Sequence, residues 1–366
     1  MSPSGATYSD SGVETGAADA ALARLVAHVS RPRHRREDGS CVGESLVESG
    51  LYASVLALDD HRGLALTTDG VGTKVLVAEL VGRYDTIGID CVAMNVNDLV
   101  CVGAEPVAML DYLAVQKTDS DVFDQIGQGL AAGAEMANIS IPGGEVSQMK
   151  EIIRGIEEGR GVDLVGAASG LVDLDRLVVG EGIEDGDAVV GLVSNGLHSN
   201  GFSLARSVLF GTLGLDADDH VPEFGHTVAE ELLRPTSIYV RPAMAMLRAG
   251  LRVRAFSHLT SGGFLNLLRI RSKTGFVLHT LPDPQPVFDL IRRAGPVADE
   301  EMHRVFNMGI GFGAVVPETE ADAVRRIASE HGFESLVLGH ACPSHAGRVL
   351  LEPRGLVGEG DHFRPV

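Results

Sequence analysis

Apolar residues occur along the chain in short runs and in helix-spaced sets, which predicts a succession of strands and helices. The first half has predicted strands at 64–68, 107–115, 139–144 and 164–172 and predicted helices at 86–102 and 121–137. The second half has predicted strands at 187–193, 308–316 and 335–338 and predicted helices from about 202 and at 318–332. Because strands and helices alternate in both halves, the pattern predicts an α/β protein (α+β type) with two α/β domains, 1–172 and 173–366.

The other segments give weaker patterns. Residues 1–45 are polar and predict a loop or a flexible arm, and its arginines Arg31, Arg33, Arg35 and Arg36 would meet phosphates if it folded over a site. The stretch 232–249 predicts helix at both ends, with breaks at Pro235 and Pro242. Residues 256–263 are predicted to be a polar, glycine-rich turn.

The predicted helix 86–102 has two different faces. Its apolar residues fall on one arc, and the opposite arc carries Asp90, Asn95, Asn97 and Asp98. Asn95 and Asp98 are three residues apart on one face, and their oxygens are of the kind that Mg²⁺ prefers. For Asp90 and Asn97 alone, the simpler interpretation is an exposed polar surface.

The charge of the chain narrows the choice of partners. Fifty Asp and Glu residues against 30 Lys and Arg give a formal net charge of −20, so nucleic acid and anionic membranes are not expected partners. No apolar run approaches the roughly 20 residues of a membrane span. Lysine occurs only at positions 74, 117, 150 and 273. An acidic, lysine-poor surface predicts adaptation to high salt, although a GC-rich genome also favours arginine.

The four cysteines, at positions 41, 91, 101 and 342, show no CxxC spacing, so a zinc site or a redox pair is not expected. Cys91 and Cys101 lie among apolar residues and are predicted to be small buried side chains. The first residues lack the basic and apolar regions of a secretory signal, which favours a cytoplasmic protein.

The motif DGVGTK at 69–74 follows a predicted strand. Gly70 and Gly72 allow a ligand to approach the backbone, Asp69 can hold a hard cation and Lys74 can meet a phosphate. The spacing is not that of a P-loop. A tight turn with an incidental acid is the alternative interpretation.

Further acids lie where strands or helices end or turn towards a site. Asp111 interrupts an apolar strand and must face a site or be paired internally. Glu145 follows Pro142, Gly143 and Gly144 just past a predicted strand end, a common position for sites in α/β sheets, although a solvent-exposed turn is possible. Together Asp69, Asp98, Asp111 and Glu145 predict a magnesium–nucleotide site.

The segment NGLHSNG at 195–201 stands between a predicted strand and a predicted helix. Backbone N–H groups at such a position attract phosphate. His198 can donate to phosphate or act as a general acid or base, although a lone loop histidine is more often structural.

The order of these motifs resembles the phosphoribosylformylglycinamidine cyclo-ligase (aminoimidazole ribonucleotide synthetase) family over about residues 8–340. The resemblance rests on TDGVGTK at 68–74, 84–106, LDYLAV at 110–115, PGGE at 142–145, GLHSNGFSLAR at 196–206, RPTSIYV at 234–240, HLTSGGF at 258–264 and EEMHRVFNMGIGFG at 300–313, together with YSDSGV at 8–13. The last three segments of the second half point most narrowly to this family.

The resemblance implies a homodimer whose N-terminal halves join strands across the dimer in a sheet or barrel, with the C-terminal half packed on it. It implies ATP-dependent closure of formylglycinamidine ribonucleotide to aminoimidazole ribonucleotide in purine biosynthesis. Asp69, Asp98, Asp111 and Glu145 would hold Mg²⁺–ATP, and His198, Asn200 and Lys74 would act in catalysis. The contacts to ATP and substrate would come from Asp69, Gly70, Gly72, Thr73, Gly143, Gly144, Ser199 and Gly201.

The chain departs from the family pattern in three places. The segment ESGLYASVL at 48–56 is poor in glycine, GGEVSQMKE has Gln148 for an acid and Lys150 for a proline, and HLTSGG has Ser261 for a glycine. These changes leave the core acids in place and favour a divergent, archaeal-type cyclo-ligase. Another ATP-using member of the superfamily, or a catalytically idle nucleotide-binding homologue, is the alternative.

Overall fold

The computed structural model describes residues 5–12, 15–29, 36, 39–47 and 50–366. Its α-helices are α1 (Thr15–Val29), α2 (Val75–Val81), α3 (Asp85–Cys101), α4 (Ser120–Ala137), α5 (Phe202–Arg206), α6 (Val228–Leu232), α7 (Val240–Arg248), α8 (Pro286–Ala294), α9 (Asp299–Val305) and α10 (Ala321–Glu330). A π-helix spans Ser207–Thr212, and 3₁₀ turns span Gly72–Lys74, Leu174–Arg176, Gly263–Arg269, Glu318–Glu320, Pro343–His345 and Glu352–Arg354.

The strands in chain order are β1 (Ser54–Ala57), β2 (Arg62–Gly70), β3 (Glu105–Val115), β4 (Gly144–Gln148), β5 (Val162–Asp173), β6 (Ala188–Val193), β7 (His220–Val221), β8 (His226–Thr227), β9 (Ala255–His258), β10 (Gly275–Leu278), β11 (Ile310–Val316), β12 (Ser335–Cys342), β13 (Arg348–Leu351), β14 (Leu356–Glu359) and β15 (His362–Pro365). The mixed α/β architecture confirms the predicted fold class.

The N-terminal half is a five-stranded sheet in the order β1-β2-β5-β3-β4, with helices on one face. Helix α3 packs on β2, β3 and β5, and α4 packs on α3. Glycines make the two helices meet closely, because a Cβ at Gly129 would lie 2.1 Å from the Asp85 carbonyl oxygen. The other face of the sheet carries exposed apolar side chains, among them Leu66, Leu110 and Leu171.

The C-terminal half is built on an eight-stranded sheet in the order β15-β14-β13-β10-β12-β6-β11-β9. Strand β6 lies between β12 and β11, pairs antiparallel with both and is apolar along nearly its whole length. A strand covered on both faces requires such a continuous apolar run. One cluster of buried apolar side chains continues through both halves, so the two sheets share a core.

The structure corrects the predicted strand at 139–144. Strand β4 begins only at Gly144, after a single bridge between Ser140 and Ala108. Pro142 lacks the N–H that a continuous ladder would need, so pairing with β3 stops there and resumes two residues later.

Three other predictions differ from the structure. Pro242 does not break a helix but lies in the first turn of α7, where its missing N–H costs nothing. Residues 255–258 form β9, so the predicted turn at 256–263 is a turn only from Leu259 onward. Part of the predicted N-terminal arm is helix α1, whose side chains from Ala21 to Val29 are mostly exposed.

Cys91 and Cys101 are buried, as predicted, and all four cysteines are free thiols. Among the helices of the described residues, none combines the length and the hydropathy needed to cross a bilayer.

Candidate functional site

Helix α3 lies between the two halves and is buried around almost its whole circumference. Asp90 and Asn97, expected on an exposed surface, are fully buried because the C-terminal half packs on this polar face. Asn97 Oδ1 accepts the Tyr239 N–H at 2.8 Å, and its Nδ2 donates to the Ser237 carbonyl at 2.9 Å. The absence of Lys, Arg and Glu from 86–102 is the sequence signal that the face is not solvent-exposed.

Asp69, Asn95 and Asp98 form a polar corner where β2 ends beside α3. Asn95 Nδ2 donates to the Asp69 carbonyl at 3.1 Å, and Asp69 Oδ1 accepts the Gly70 N–H at 2.8 Å. Burial raises the pKa of Asp69, the Gly70 hydrogen bond opposes this, and the charge of Asp98 raises it further. Asn95 Oδ1 is buried without a hydrogen-bond partner, so this corner has an unused oxygen ligand.

His258, at the end of β9, completes this corner from the C-terminal half. Its Nδ1 lies 2.9 Å from Asp98 Oδ1, and its Nε2 lies 3.4 Å from Asn97 Nδ2. His258 is fully buried, whereas the Asp98 side chain is 15% exposed. Sequence reasoning did not select His258; the available signal was a histidine that ends an apolar strand just before a glycine-rich turn.

Asp111 lies in the same layer but not at the same corner. Asp69 and Asp111 both pair with Gly166 of β5, on opposite sides, so their side chains share the helix-facing side of the sheet. Two strand spacings separate them by about 10 Å. Asn95 lies over Gly166 between them, since a Cβ there would be 2.7 Å from Asn95 Nδ2. Burial raises the pKa of Asp111.

Glu145 lies on the opposite face of the sheet. It pairs with Tyr112, one residue along β3 from Asp111, and successive residues of a strand face opposite sides. Its Oε1 accepts the Val146 N–H at 3.0 Å. Within the described residues, no group of three or more His, Cys, Asp or Glu side chains is placed to hold a metal ion. The structure therefore brings together Asp69 and Asp98, but not all four predicted acids.

Lys74 is fully buried, in contrast to a residue that awaits phosphate. Its Nζ lies 2.8 Å from Asp90 Oδ2 and donates to the carbonyls of Arg234 (2.6 Å) and His198 (3.2 Å). Burial lowers the pKa of Lys74, while Asp90 opposes this. All three ammonium hydrogens have acceptors, so the observed position of Lys74 gives no support to a direct phosphate contact.

The 195–201 loop brings His198 and Asn200 to the interface between the halves. His198 is buried, and both its ring nitrogens, like Asn200 Nδ2, lack hydrogen-bond partners. Burial lowers the pKa of His198 well below its ordinary value, and nearby His258 and Lys74 lower it further. The ring is therefore neutral near pH 7, with one donor and one acceptor nitrogen unused.

The neighbouring loop residues have structural partners. Ser199 Oγ lies 2.9 Å from Thr236 Oγ1, and Gly201 begins α5 with a positive φ of 75°. Gly201 also packs on Phe306, because a Cβ there would lie 2.2 Å from the ring.

The predicted ATP-binding glycines fall into two groups. Gly70 and Gly72 lie in the turn after β2, and Thr73 Oγ1 is 3.4 Å from Ser203 Oγ, which places this turn beside the start of α5. Gly143 and Gly144 lie at the far edge of the sheet, where Gly144 packs on Asp111.

Of the four arginines considered for phosphate contacts, Arg31, Arg33 and Arg35 lie outside the described residues. Arg36 is exposed, and its Nε donates to the Val42 carbonyl at 3.2 Å.

Comparison with known families gives two matches. The model for the N-terminal domain of AIR synthase related proteins matches residues 50–172, and that for the C-terminal domain matches residues 184–352.

Curated relatives are similar over nearly the whole chain. A phosphoribosylformylglycinamidine cyclo-ligase of Methanothermobacter thermautotrophicus is 44% identical over 324 residues, 88% of this chain and 91% of the relative. One of Thermococcus kodakarensis is 44% identical over 333 residues, 91% of this chain and 94% of the relative.

Solved structures share the fold at low identity. Thiamine-monophosphate kinase from Stenotrophomonas maltophilia has a TM-score of 0.60 at 20% identity and covers 91% of this chain and 96% of that one. PurL of T. maritima, solved in complex with ATP, has a TM-score of 0.56 at 16% identity and covers 93% of this chain and 47% of that one.

Proposed function

The chain belongs to the family of AIR synthase related proteins, and on this basis we propose that it is an ATP-dependent cyclo-ligase of purine biosynthesis. Its reaction closes formylglycinamidine ribonucleotide to aminoimidazole ribonucleotide, with ADP and phosphate as the other products. The observation that carries the proposal is 44% identity to named cyclo-ligases over about nine-tenths of both chains.

The chemistry requires an activated amide and a nearby nucleophile. An amide oxygen is a poor leaving group, so ATP phosphorylates it and ADP departs. The amidine nitrogen then attacks the activated carbon, loses a proton and displaces phosphate as the ring closes. Phosphoryl transfer of this kind depends on positioning and charge neutralisation.

His198 and Asn200 supply free polar atoms for this reaction. Neutral His198 has an unused acceptor nitrogen for the proton that the amidine loses, and Asn200 Nδ2 is an unused donor for the amide or phosphate oxygen. Buried polar atoms without partners are costly in a finished core and are explained by a ligand that satisfies them.

A magnesium ion fits the corner formed by Asp69, Asn95 and Asp98. The unpartnered Asn95 Oδ1 lies beside two carboxylates, and the pKa of one, Asp69, is raised by burial and by the charge of the other. Mg²⁺ is commonly held by one or two carboxylates together with substrate phosphates, so a ready cluster of three acids is not required. When bound there it would neutralise charge on the ATP phosphates. Glu145 and Asp111 remain predicted ligands.

A homodimer through the N-terminal sheet is part of the proposal. The face opposite the helices exposes Leu66, Leu110 and Tyr112 and borders a cavity of ≈ 810 Å³. Continuous exposed apolar surface of this kind marks an interface. Leu110→Asp should convert a dimer measured by light scattering to monomer, and wild-type protein that is monomeric would exclude the proposed interface.

The activity test uses purified protein, Mg²⁺–ATP and formylglycinamidine ribonucleotide, with ADP and the aminoimidazole product measured separately. Equal amounts of both are expected. The absence of substrate-dependent ADP would refute the cyclo-ligase assignment, and ADP without ring product would indicate another phosphotransferase.

A further inference from the structure

Lys74 and Asp90 form an ion pair in which both side chains have no exposed surface. Lys74 belongs to the turn after β2, and Asp90 belongs to α3, so the pair itself lies within the N-terminal half. Its other partners all come from the C-terminal half. Lys74 Nζ donates to two carbonyls there, those of His198 and Arg234.

Asp90 extends the same network through its second oxygen. Asp90 Oδ1 accepts both the N–H and the hydroxyl of Thr236, each at 2.7 Å. Thr236 Oγ1 in turn lies 2.9 Å from Ser199 Oγ. Two successive loop residues, His198 and Ser199, are therefore tied to one buried ion pair by separate routes.

The tie at His198 falls on a backbone conformation that histidine rarely adopts. His198 has φ of +60°, in the left-handed region, although it is not a glycine. Such a conformation persists only where the surroundings enforce it, and it clusters at functional sites. Its ring is packed against β11, since a Cβ at Gly311 would lie 2.5 Å from His198 Cε1. The backbone held by Lys74 thus determines where the unpartnered ring nitrogens lie.

We propose that Lys74 is a positioning residue, which acts with Asp90 to hold the 196–201 loop so that His198 and Asn200 face the reacting groups. This inference rests on the proposed cyclo-ligase function and gives Lys74 a role other than binding phosphate. A direct phosphate contact would require breaking the ion pair and both carbonyl hydrogen bonds, whereas the positioning role uses every contact that is present.

The test uses the paired change Lys74→Met/Asp90→Asn. Removing Lys74 alone leaves a buried, unpaired carboxylate and endangers folding. The paired change keeps volume and neutrality, and the amide introduced by Asp90→Asn retains an acceptor oxygen for Thr236, so the loss is confined to the anchor on His198. The matched control is Arg248→Met/Glu105→Gln, which removes an exposed ion pair between the same two halves.

The first readout is structural and does not depend on turnover. Crystal structures of both variants are compared with wild type, and the Lys74→Met/Asp90→Asn protein should show the His198 ring displaced by about 1 Å or more, a shift large enough to reduce catalysis substantially. The control should leave the loop unchanged. A loop that stays in place in the Lys74→Met/Asp90→Asn protein would overturn the proposal even if wild type proved to have no cyclo-ligase activity.

The second readout is a kinetic cycle with His198→Ala. In wild-type background the paired change should lower kcat by about 100-fold, with the KM for ATP altered less than about threefold. In the His198→Ala background the same change should lower kcat less than about threefold, since its route of action is already removed. Losses that multiply independently, or a loss confined to the KM for ATP, would overturn the positioning role. If the wild type makes no aminoimidazole product, the proposed function fails and the structural comparison alone decides the role of Lys74.

Discussion

The Nδ1 atom of His258 lies 2.9 Å from Oδ1 of Asp98, which joins the last residue of β9 to the middle of α3 across the interface between the halves. This contact places a buried imidazole against one of the two carboxylates that the structure brings together. Asp98 therefore has two possible tasks, orienting His258 and binding a cation.

Replacing Asp98 by Asn should lower kcat/KM by about 10- to 100-fold, the usual effect of losing a ligand or a group that orients one. Steady-state ADP release measures this. Asp85→Asn is the matched control on the same helix, because Asp85 is exposed and pairs only with neighbouring Arg83 among its charged contacts. Equal activities of the two variants would contradict a role for Asp98 in the site.

The substitution Asp69→Asn should reduce activity and raise stability at neutral pH. Burial and the charge of Asp98 raise the pKa of Asp69, so its ionised form destabilises the folded state. The gain in stability should be present above the folded-state pKa and vanish below about pH 3.9, where Asp69 is protonated in both states. Thermal unfolding across pH tests this. An unchanged Mg²⁺ dependence of turnover would remove Asp69 from the metal site.

Acidification should destabilise the wild-type protein through His198. Its folded-state pKa is lowered well below the ordinary value, so below about pH 6.5 the unfolded state binds the proton more readily. Stability therefore rises with pH across this range, and His198→Gln should make the dependence shallower. His303, whose pKa is also lowered by burial, should retain part of the dependence in that variant. Identical pH profiles would contradict a buried, neutral His198.

The hydroxyl of Tyr52 should position the strand that carries His258. It lies 2.6 Å from Ser257 Oγ and 2.7 Å from the Asn266 carbonyl, and the ring packs under Arg269. Tyr52→Phe should lower the free energy of unfolding by about 1–2 kcal/mol and reduce kcat severalfold. Tyr112→Phe, which removes a hydroxyl from a half-exposed ring, is the control. Denaturant unfolding in which the two variants match would show that the buried hydroxyl is dispensable.

High salt should preserve or raise stability and activity. The net charge of −20 produces repulsion among surface acids, which is screened at 1 M ionic strength, where the Debye length is about 3 Å. Exposed ion pairs weaken under the same conditions but contribute little. Unfolding and turnover in dilute and molar KCl measure the effect, and loss of folding in molar KCl would contradict the predicted salt adaptation.

The sequence predicted elements whose pattern is decided locally. The periodicity of 86–102 and the apolar run of 164–172 gave α3 and β5 nearly to their ends. The family resemblance, carried by motifs such as DGVGTK and GLHSNG, is confirmed by the matched models and relatives. The predicted homodimer, cytoplasmic location and salt adaptation stay predictions.

Contacts between the halves could not be predicted, because they depend on which face of a helix meets a second domain. Asp90 and Asn97 look like surface residues in the sequence, and only the packing of Thr236 and Tyr239 against them makes them buried anchors. His258 was hidden for the same reason, since its partner Asp98 is 160 residues away. Lys74 was recognised as important, but its partners could not be identified from the local motif.

Helix α3 is enclosed by both halves, although the two family models divide the chain between them. During synthesis, the N-terminal half therefore leaves the ribosome with the Asp90 and Asn97 face uncovered. The groups that cover it, from Arg234 to His258, are made more than 100 residues later. Until then one side of the helix is open to water and to other nascent chains. The same helix that unites the finished enzyme makes its first half an incomplete folding unit, dependent on the second.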